Sequence, residues 1–436
     1  MYQCGERDVY HPFEDQRGRS GRRLVGTKGT KGRDKLLTHR IARRTPALVG
    51  LILAAALGVS ACGGSPTTTT NPASAVPNGG GQAATSAEPA KFTTTPANGA
   101  AGIAPTDPVK VIVSNGKIDN VTLAKPGGGT VAGQLADDRT SWSTSEPLGY
   151  GKSYTWHGTA TGTDNKPVEI SGSFTTVTPK KQISGSLNVG DDQTYGIAVP
   201  IALTFSSKVT DKAAVERQLS VETTPKTEGS WAWLSDTSVH WRPKDYFQPG
   251  TQVKVAAKIY GANFGNGTYG KQDVTAGFTI GRSQVVKGDT RTHHIQVIRD
   301  GRQIADYPAS FGLDSDPGRV THSGTHVVMG KFATYSMSNP RYNYFDVNVP
   351  WAVRISNNGE FIHGLAASMW AQGKRNVSHG CVNLSPARAK EYYDGALVGD
   401  PVEITGSTQP LTPSDGDYSD WTYSWAAWTK LSALNS

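Results

Sequence analysis

Ser378-His379-Gly380-Cys381-Val382-Asn383, with Phe361-Ile362-His363 upstream of it, is the stretch around which the rest of this chain can be organised. The chain has three cysteines, Cys4, Cys62 and Cys381. Cys4 lies in a basic leader and Cys62 ends an apolar export segment, so Cys381 is the thiol expected in the folded, exported part. In an oxidising compartment a thiol without a disulfide partner is a liability unless it is used. Gly380 lets the backbone come close to a substrate carbonyl, and the β-branched Val382 follows. His363, on a separate segment, can act as the base that makes the thiolate. The arrangement reads as a cysteine nucleophile rather than an inert buried thiol.

Working outward, the 436 residues suffice for two to four domains with packed cores. Fifty Gly, 25 Pro and low charge favour β-rich architecture over long helices. The net charge of +8 belongs to the leader: residues 1–61 carry 12 Lys and Arg against 5 Asp and Glu, leaving 32 against 31 for the remainder. Nucleic-acid binding by the folded part is therefore not expected. Behind Arg40, Arg43 and Arg44 runs the 15-residue apolar segment Ala47–Ala61 (ALVGLILAAALGVSA), short for a membrane span and suited to a signal-peptide core. It ends in Val59-Ser60-Ala61-Cys62-Gly63, which resembles the bacterial lipobox. That resemblance implies lipidation of Cys62, with residues 1–62 as leader, signal peptide and lipobox. The mature protein is then expected on the outer face of the cell membrane, lipid-anchored and facing the cell wall.

Residues 63–106 are Thr, Pro, Ala, Ser and Gly with few large apolar side chains, a composition expected to form a flexible tether. Two β-repeats follow. Trp142, Leu148, Gly151 and Tyr154 recur at the same offsets as Trp241, Phe247, Gly250 and Val253, and each set leads to a closing strand at Phe174 or Phe278. Alternation in Tyr154-Trp156-Gly158 and Val253-Val255-Ala257 marks half-buried strands. The pattern predicts two immunoglobulin-like sandwiches over 107–179 and 180–282, with one short helix at Asp211–Leu219 capped by Asp211. Trp142 and Trp241 read as core anchors, not sugar-stacking platforms.

From Gln284 the texture changes. His294–Arg302 reads as a strand with an Asp300-Gly301 turn, and Gly324–Val328 as another strand. Met329–Pro350 lacks clear periodicity and reads as a loop or lid over a site. Ser385–Tyr393 is a capped helix with Pro at its first turn, and Gly399–Ile404 a turn and strand. Trp421, Trp425 and Trp428 are spaced for one helical face, in a tail (407–436) expected to pack back on the catalytic domain. His322 and His326 straddle a Gly turn, which argues against both ligating one metal together with His293 or His294; no metal or cofactor is expected.

His363, fourteen residues, and then Ser378-His379-Gly380-Cys381-Val382-Asn383 resemble the signature of the YkuD-type L,D-transpeptidase catalytic domain, over 283–406. With the two upstream repeats and the Trp-containing tail, the chain is similar to multidomain actinobacterial members of that family. The resemblance implies a mainly β protein: two immunoglobulin-like sandwiches, then a β-rich catalytic domain with a short helix and a C-terminal extension. It implies that Cys381 attacks the L,D bond after the third residue of a peptidoglycan stem tetrapeptide to form a thioester. His363 would be its partner, oriented by the backbone carbonyl of Gly364, where the family often has Ser. Backbone N–H groups around His379, Gly380 and Cys381, with the hydroxyl of Tyr344 or Tyr342, would stabilise the oxyanion; Ser378 and Asn383 complete the motif. Met337 and Trp351 would belong to the lid and its hinge. His379 reads more readily as fixing the loop than as an acid or base. The implied partners are donor and acceptor stem peptides, the membrane through the lipid, and carbapenem β-lactams as inhibitors. An L,D-carboxypeptidase, attachment of a protein to peptidoglycan, and a non-enzymatic wall-binding module remain alternatives.

Overall fold

Alternation of buried and exposed side chains builds the two N-terminal sandwiches of this computed structural model, which describes residues 87–415 and 418–435. The leader, the apolar run and Cys62 lie outside the described residues. In Lys110–Ser114 (KVIVS) only the two valines face inward. The first sandwich packs a four-stranded sheet, in the order Lys91–Thr95, Lys110–Ser114, Ser141–Thr144, Gly133–Leu135, on a three-stranded one, Gly116–Ala124, Ser153–Gly162, Pro167–Thr175. The second packs two four-stranded sheets between Gly185 and Ile280, and adds the helix Lys212–Glu216, whose N-cap Asp211 accepts from the Ala214 N–H.

The repeat read from the sequence has a structural basis. Trp142 and Trp241 are both buried in their cores. Each lies against a glycine of the adjacent strand: a Cβ on Gly133 would sit 2.0 Å from the Trp142 ring, and one on Gly229 1.9 Å from Trp241. Glycine is required at both places because the indole occupies the space a side chain would need.

One boundary needs correction. The tether does not extend to residue 106, because Lys91–Thr95 is an edge strand paired antiparallel with Lys110–Ser114. Ala90 is buried and Phe92 packs against the first core. An edge strand needs few apolar residues, since its backbone hydrogen bonds do much of the holding, so composition alone hid it.

The C-terminal domain has two sheets. Arg302–Pro308, His294–Arg299, Gln284–Asp289, Pro401–Thr405 and Gly324–Val327 form the first, and Gly330–Asn339, Tyr344–Arg354, Phe361–Gly364 and Val382–Leu384 the second. The helix Pro386–Gly395, with Ser385 as N-cap, covers the second sheet, and Ala389 and Tyr392 enter the core. Residues 329–350 are not a loop. Gly330–Asn339 and Tyr344–Arg354 pair as a long antiparallel hairpin, turned by Pro340–Tyr342 and by Asn343 at φ 52°. Most of this hairpin's side chains are exposed or half-buried, which removes the inside–outside alternation that reveals a strand.

The tail also differs from expectation. It packs on the C-terminal domain through Leu411, Asp415 and Ser419 and then runs across the second sandwich instead of packing only on the C-terminal domain. Trp428, fully buried, donates Nε1–H to the Ser230 carbonyl (2.9 Å), and Trp421 donates to Ala198 (2.9 Å). The three tryptophans do not share one helix; only Trp425–Thr429 is α-helical. They converge instead on Arg242, whose guanidinium lies 4.6, 5.4 and 5.0 Å from the rings of Trp421, Trp425 and Trp428. Buried His240 and Asp420 pair at 3.0 Å, and the Glu216 carboxylate accepts from Ser432 Oγ and the Ala433 N–H. The tail therefore straps the second sandwich to the C-terminal domain. Trp428→Ala is expected to cost about 3–5 kcal/mol, the range for emptying a buried Trp site. Denaturant unfolding followed by Trp fluorescence checks this, and an unchanged midpoint would contradict the strap.

Candidate active site

Two parallel strands bring His363 and Cys381 to the same face of the second sheet. Phe361–Gly364 pairs with Val382–Leu384 so that His363 stands level with Asn383. Cys381, one step before that strand, is then level with Phe361, and Phe361 and His363 share a face. Ile362 and Val382 point the other way, into the main core. Cys381 packs with Val349, Ala352 and Phe361, and Tyr335 and Met337 of the hairpin close over this cluster. Met337, placed in the lid by the sequence reading, lies on this hairpin over the cluster. Trp351, at φ 56°, lies elsewhere: it packs at the base of the hairpin against Tyr393, with Lys390 Nζ 5.0 Å from its ring centre.

The electrostatics describe a neutral resting pair. His363 is almost fully buried, and burial pushes its imidazole down to about 4. Its Nδ1 donates to the Gly364 carbonyl at 3.1 Å, which leaves Nε2 as the acceptor. Burial pushes the Cys381 thiol up to about 12, and the nearby Glu360 carboxylate acts in the same direction. The Phe361 N–H, aimed at the sulfur, works against both. In this arrangement the thiol donates to the Gly359 carbonyl, with sulfur and oxygen 3.6 Å apart. Both shifts favour the uncharged form of each group, so ionisation of the thiol needs a change in its surroundings such as substrate entry.

The motif loop is held from several sides. Ser378 Oγ donates to the Cys381 carbonyl (2.5 Å) and accepts from the Gly380 N–H (3.2 Å). The Gly380 amide, expected among the oxyanion donors, is engaged within the loop instead. Gly380 itself adopts φ 115°, a conformation that disfavours any side chain. Thr321 Oγ1 donates to the Gly380 carbonyl (2.7 Å), and Arg319 reaches the carbonyls of Ser378 (3.1 Å) and Val377 (2.6 Å). The rings of Tyr342 and Tyr344 flank the His379 imidazole at 4.8 and 5.3 Å. Burial, and then the Arg319 charge, lower the pKa of His379, which favours its neutral form. Asn383 is buried, and its backbone pairs with Ser310 on both sides.

Sequence reasoning missed Arg319, Thr321 and Glu360. It also held that His322 and His326 are not presented together, whereas both face the Glu360 carboxylate. Among the described residues, no group of three or more His, Cys, Asp or Glu side chains is arranged to hold a metal ion.

A family model described as the L,D-transpeptidase catalytic domain (YkuD) matches residues 283–404, and one for the bacterial Ig domain matches 100–263. L,D-transpeptidase 5 of Mycobacterium tuberculosis is 48% identical over 348 residues, covering 79% of this chain and 77% of the relative. L,D-transpeptidase 2 of the same organism is 33% identical, covering 78% and 84%. A solved LD-transpeptidase in complex with imipenem is 32% identical and aligns over 52% of this chain and 100% of its own, with a TM-score of 0.45.

Proposed function

We propose that this chain, which belongs to the L,D-transpeptidase family, cross-links peptidoglycan stem peptides through a thioester on Cys381. The observation that carries the reading is the placement of Cys381 and His363 on one face of two adjacent parallel strands beneath a lid hairpin. Entry of the donor peptide draws the thiol from Gly359 to His363 Nε2, which takes its proton. The sulfur attacks the carbonyl after the third stem residue, and the amides of His379 and Cys381, with a lid tyrosine hydroxyl, stabilise the oxyanion. Collapse expels the terminal D-residue as an amine, protonated by His363, and leaves the thioester. An acceptor amine then attacks the thioester, giving its proton to His363, and thiolate and imidazolium return to the neutral pair. The lid excludes water from the thioester and so favours transfer over hydrolysis.

Purified protein with disaccharide-tetrapeptide should yield a cross-linked dimer by mass spectrometry, and tripeptide alone would indicate a carboxypeptidase instead. A strained β-lactam carbonyl offers the same electrophile, so a carbapenem is expected to acylate Cys381, adding one covalent increment to the intact mass. No increment would contradict the reactive-thiol assignment. At the N-terminus the lipobox-like sequence supports lipidation of Cys62 and an anchor on the outer face of the membrane, with the two sandwiches carrying the catalytic domain outward.

A further inference from the structure

Glu360 is an almost fully buried carboxylate immediately before the strand Phe361–Gly364, close to the nucleophile. A Cβ placed on Gly380 would lie 3.6 Å from its Cγ. Its own backbone is fixed: the N–H donates to Ser356 Oγ (3.1 Å), and the carbonyl accepts from the Ile355 N–H (3.0 Å). The residue before it, Gly359, supplies the carbonyl on which the Cys381 thiol rests.

Two imidazoles hold the carboxylate. The His322 N–H donates to Oε1 at 2.8 Å, and His322 Nδ1 lies at the same distance from that oxygen. His326 Nε2 lies 2.9 Å from the His322 carbonyl, and since a carbonyl only accepts, Nε2 must be the donor. Its Nδ1 therefore faces Glu360 Oε2, 3.5 Å away, and neither atom has another hydrogen-bond partner in this buried site. Two bare lone pairs facing each other there are unfavourable, a mismatch that an amide donor in place of the carboxylate would remove. Beyond His326 lies a small cavity lined by Ile355, Ser356, Leu411, Asp415, Tyr418 and Ser419.

We propose that Glu360 is a positioning residue for the nucleophile: clamped by His322 and His326, it seats the Gly359 carbonyl against the Cys381 thiol, and the charge it shares with the two imidazoles governs how readily that thiol ionises. This inference rests on the reading of Cys381 as nucleophile. The groups facing Glu360 are His322, His326 and Cys381, with Asp415 of the C-terminal segment acting on His322 from outside. With His322 protonated, as its hydrogen bond to Glu360 favours, the cluster's negative charge is compensated. When that proton leaves at higher pH, the carboxylate disfavours a thiolate beside it. Glu360→Gln removes the charge yet retains an acceptor for His322 and supplies a donor to His326 Nδ1.

The test is the pH dependence of Cys381 alkylation by iodoacetamide in the full exported chain, together with its acylation rate by donor peptide. In E360Q the alkylation midpoint should fall by about 1 pH unit, the scale of one like charge at short range. E360A should slow donor acylation about 10-fold or more at all pH values, with glutamine restoring most of it, since a misplaced nucleophile costs rate whatever the charge. An E360Q midpoint equal to or above wild type overturns the inference, and this readout stands even if E360A fails to fold. A wild-type Cys381 inert to alkylation at every pH overturns the nucleophile reading instead.

Discussion

Cys381→Ala should abolish transpeptidation while leaving a folded protein with an unchanged unfolding transition. Its thiol is the only one among the described residues, and the buried side chains packed with it, Val349, Ala352 and Phe361, offer no nucleophile. Removing a covalent nucleophile usually costs about 10⁴–10⁶ in kcat, because what remains is binding and oxyanion stabilisation without a group to acylate. The stability cost should be small, since the thiol makes one long hydrogen bond, to Gly359, and alanine leaves little void. Cross-linked product from the mutant above a few per cent of wild type would show that the acyl group travels by another route.

His363→Ala should lower kcat/KM by about 10²–10⁴, the usual contribution of a positioned general base. The reason lies in the pair of opposed shifts. Burial pushes the imidazole down to about 4 and the thiol up to about 12, so at neutral pH both are uncharged and the proton must pass between them as the substrate enters. A base works only when unprotonated, and a lowered pKa keeps it so down to lower pH. The acid limb of kcat/KM against pH should therefore fall below pH 5, not near the usual histidine value of about 6.5. An acid limb near 6.5 would contradict a buried imidazole as the base, and a His363→Ala enzyme close to wild type would move the base to His379. Its flanking by Tyr342 and Tyr344 instead suits a residue that stiffens the loop.

Much of this was legible in the sequence, for reasons that differ by element. The helix caps at Asp211 and Ser385 and the turn at Asp300-Gly301 rest on local chemistry, and the structure has all three. The Trp repeat was visible because core anchors recur at fixed offsets. The lid hairpin was not, since its faces are mostly wet and its turn uses Pro340 and a left-handed Asn343 instead of an Asn-Gly or Asp-Gly pair. The edge strand Lys91–Thr95 was concealed by threonines that resemble the tether before it. At the site, the motif pointed to Cys381 and His363, but Arg319, Thr321 and Glu360 reach the loop from distant segments. Gly324, at φ 148°, lies within the stretch that brings His326 back onto the His322 carbonyl, an approach that spacing alone does not predict. A lone Glu immediately before Phe361-Ile362-His363 was the one local hint.

The central claim is that Cys381 carries the acyl group. Intact-protein mass spectrometry of the enzyme quenched in acid during turnover with a tetrapeptide donor and no acceptor addresses it directly. The account predicts an added mass equal to the donor less its terminal D-residue, located on the peptide containing Ser378–Asn383 and absent from Cys381→Ala. An acyl group on any other residue, or turnover to cross-linked product with no acyl-enzyme formed at Cys381, would contradict it.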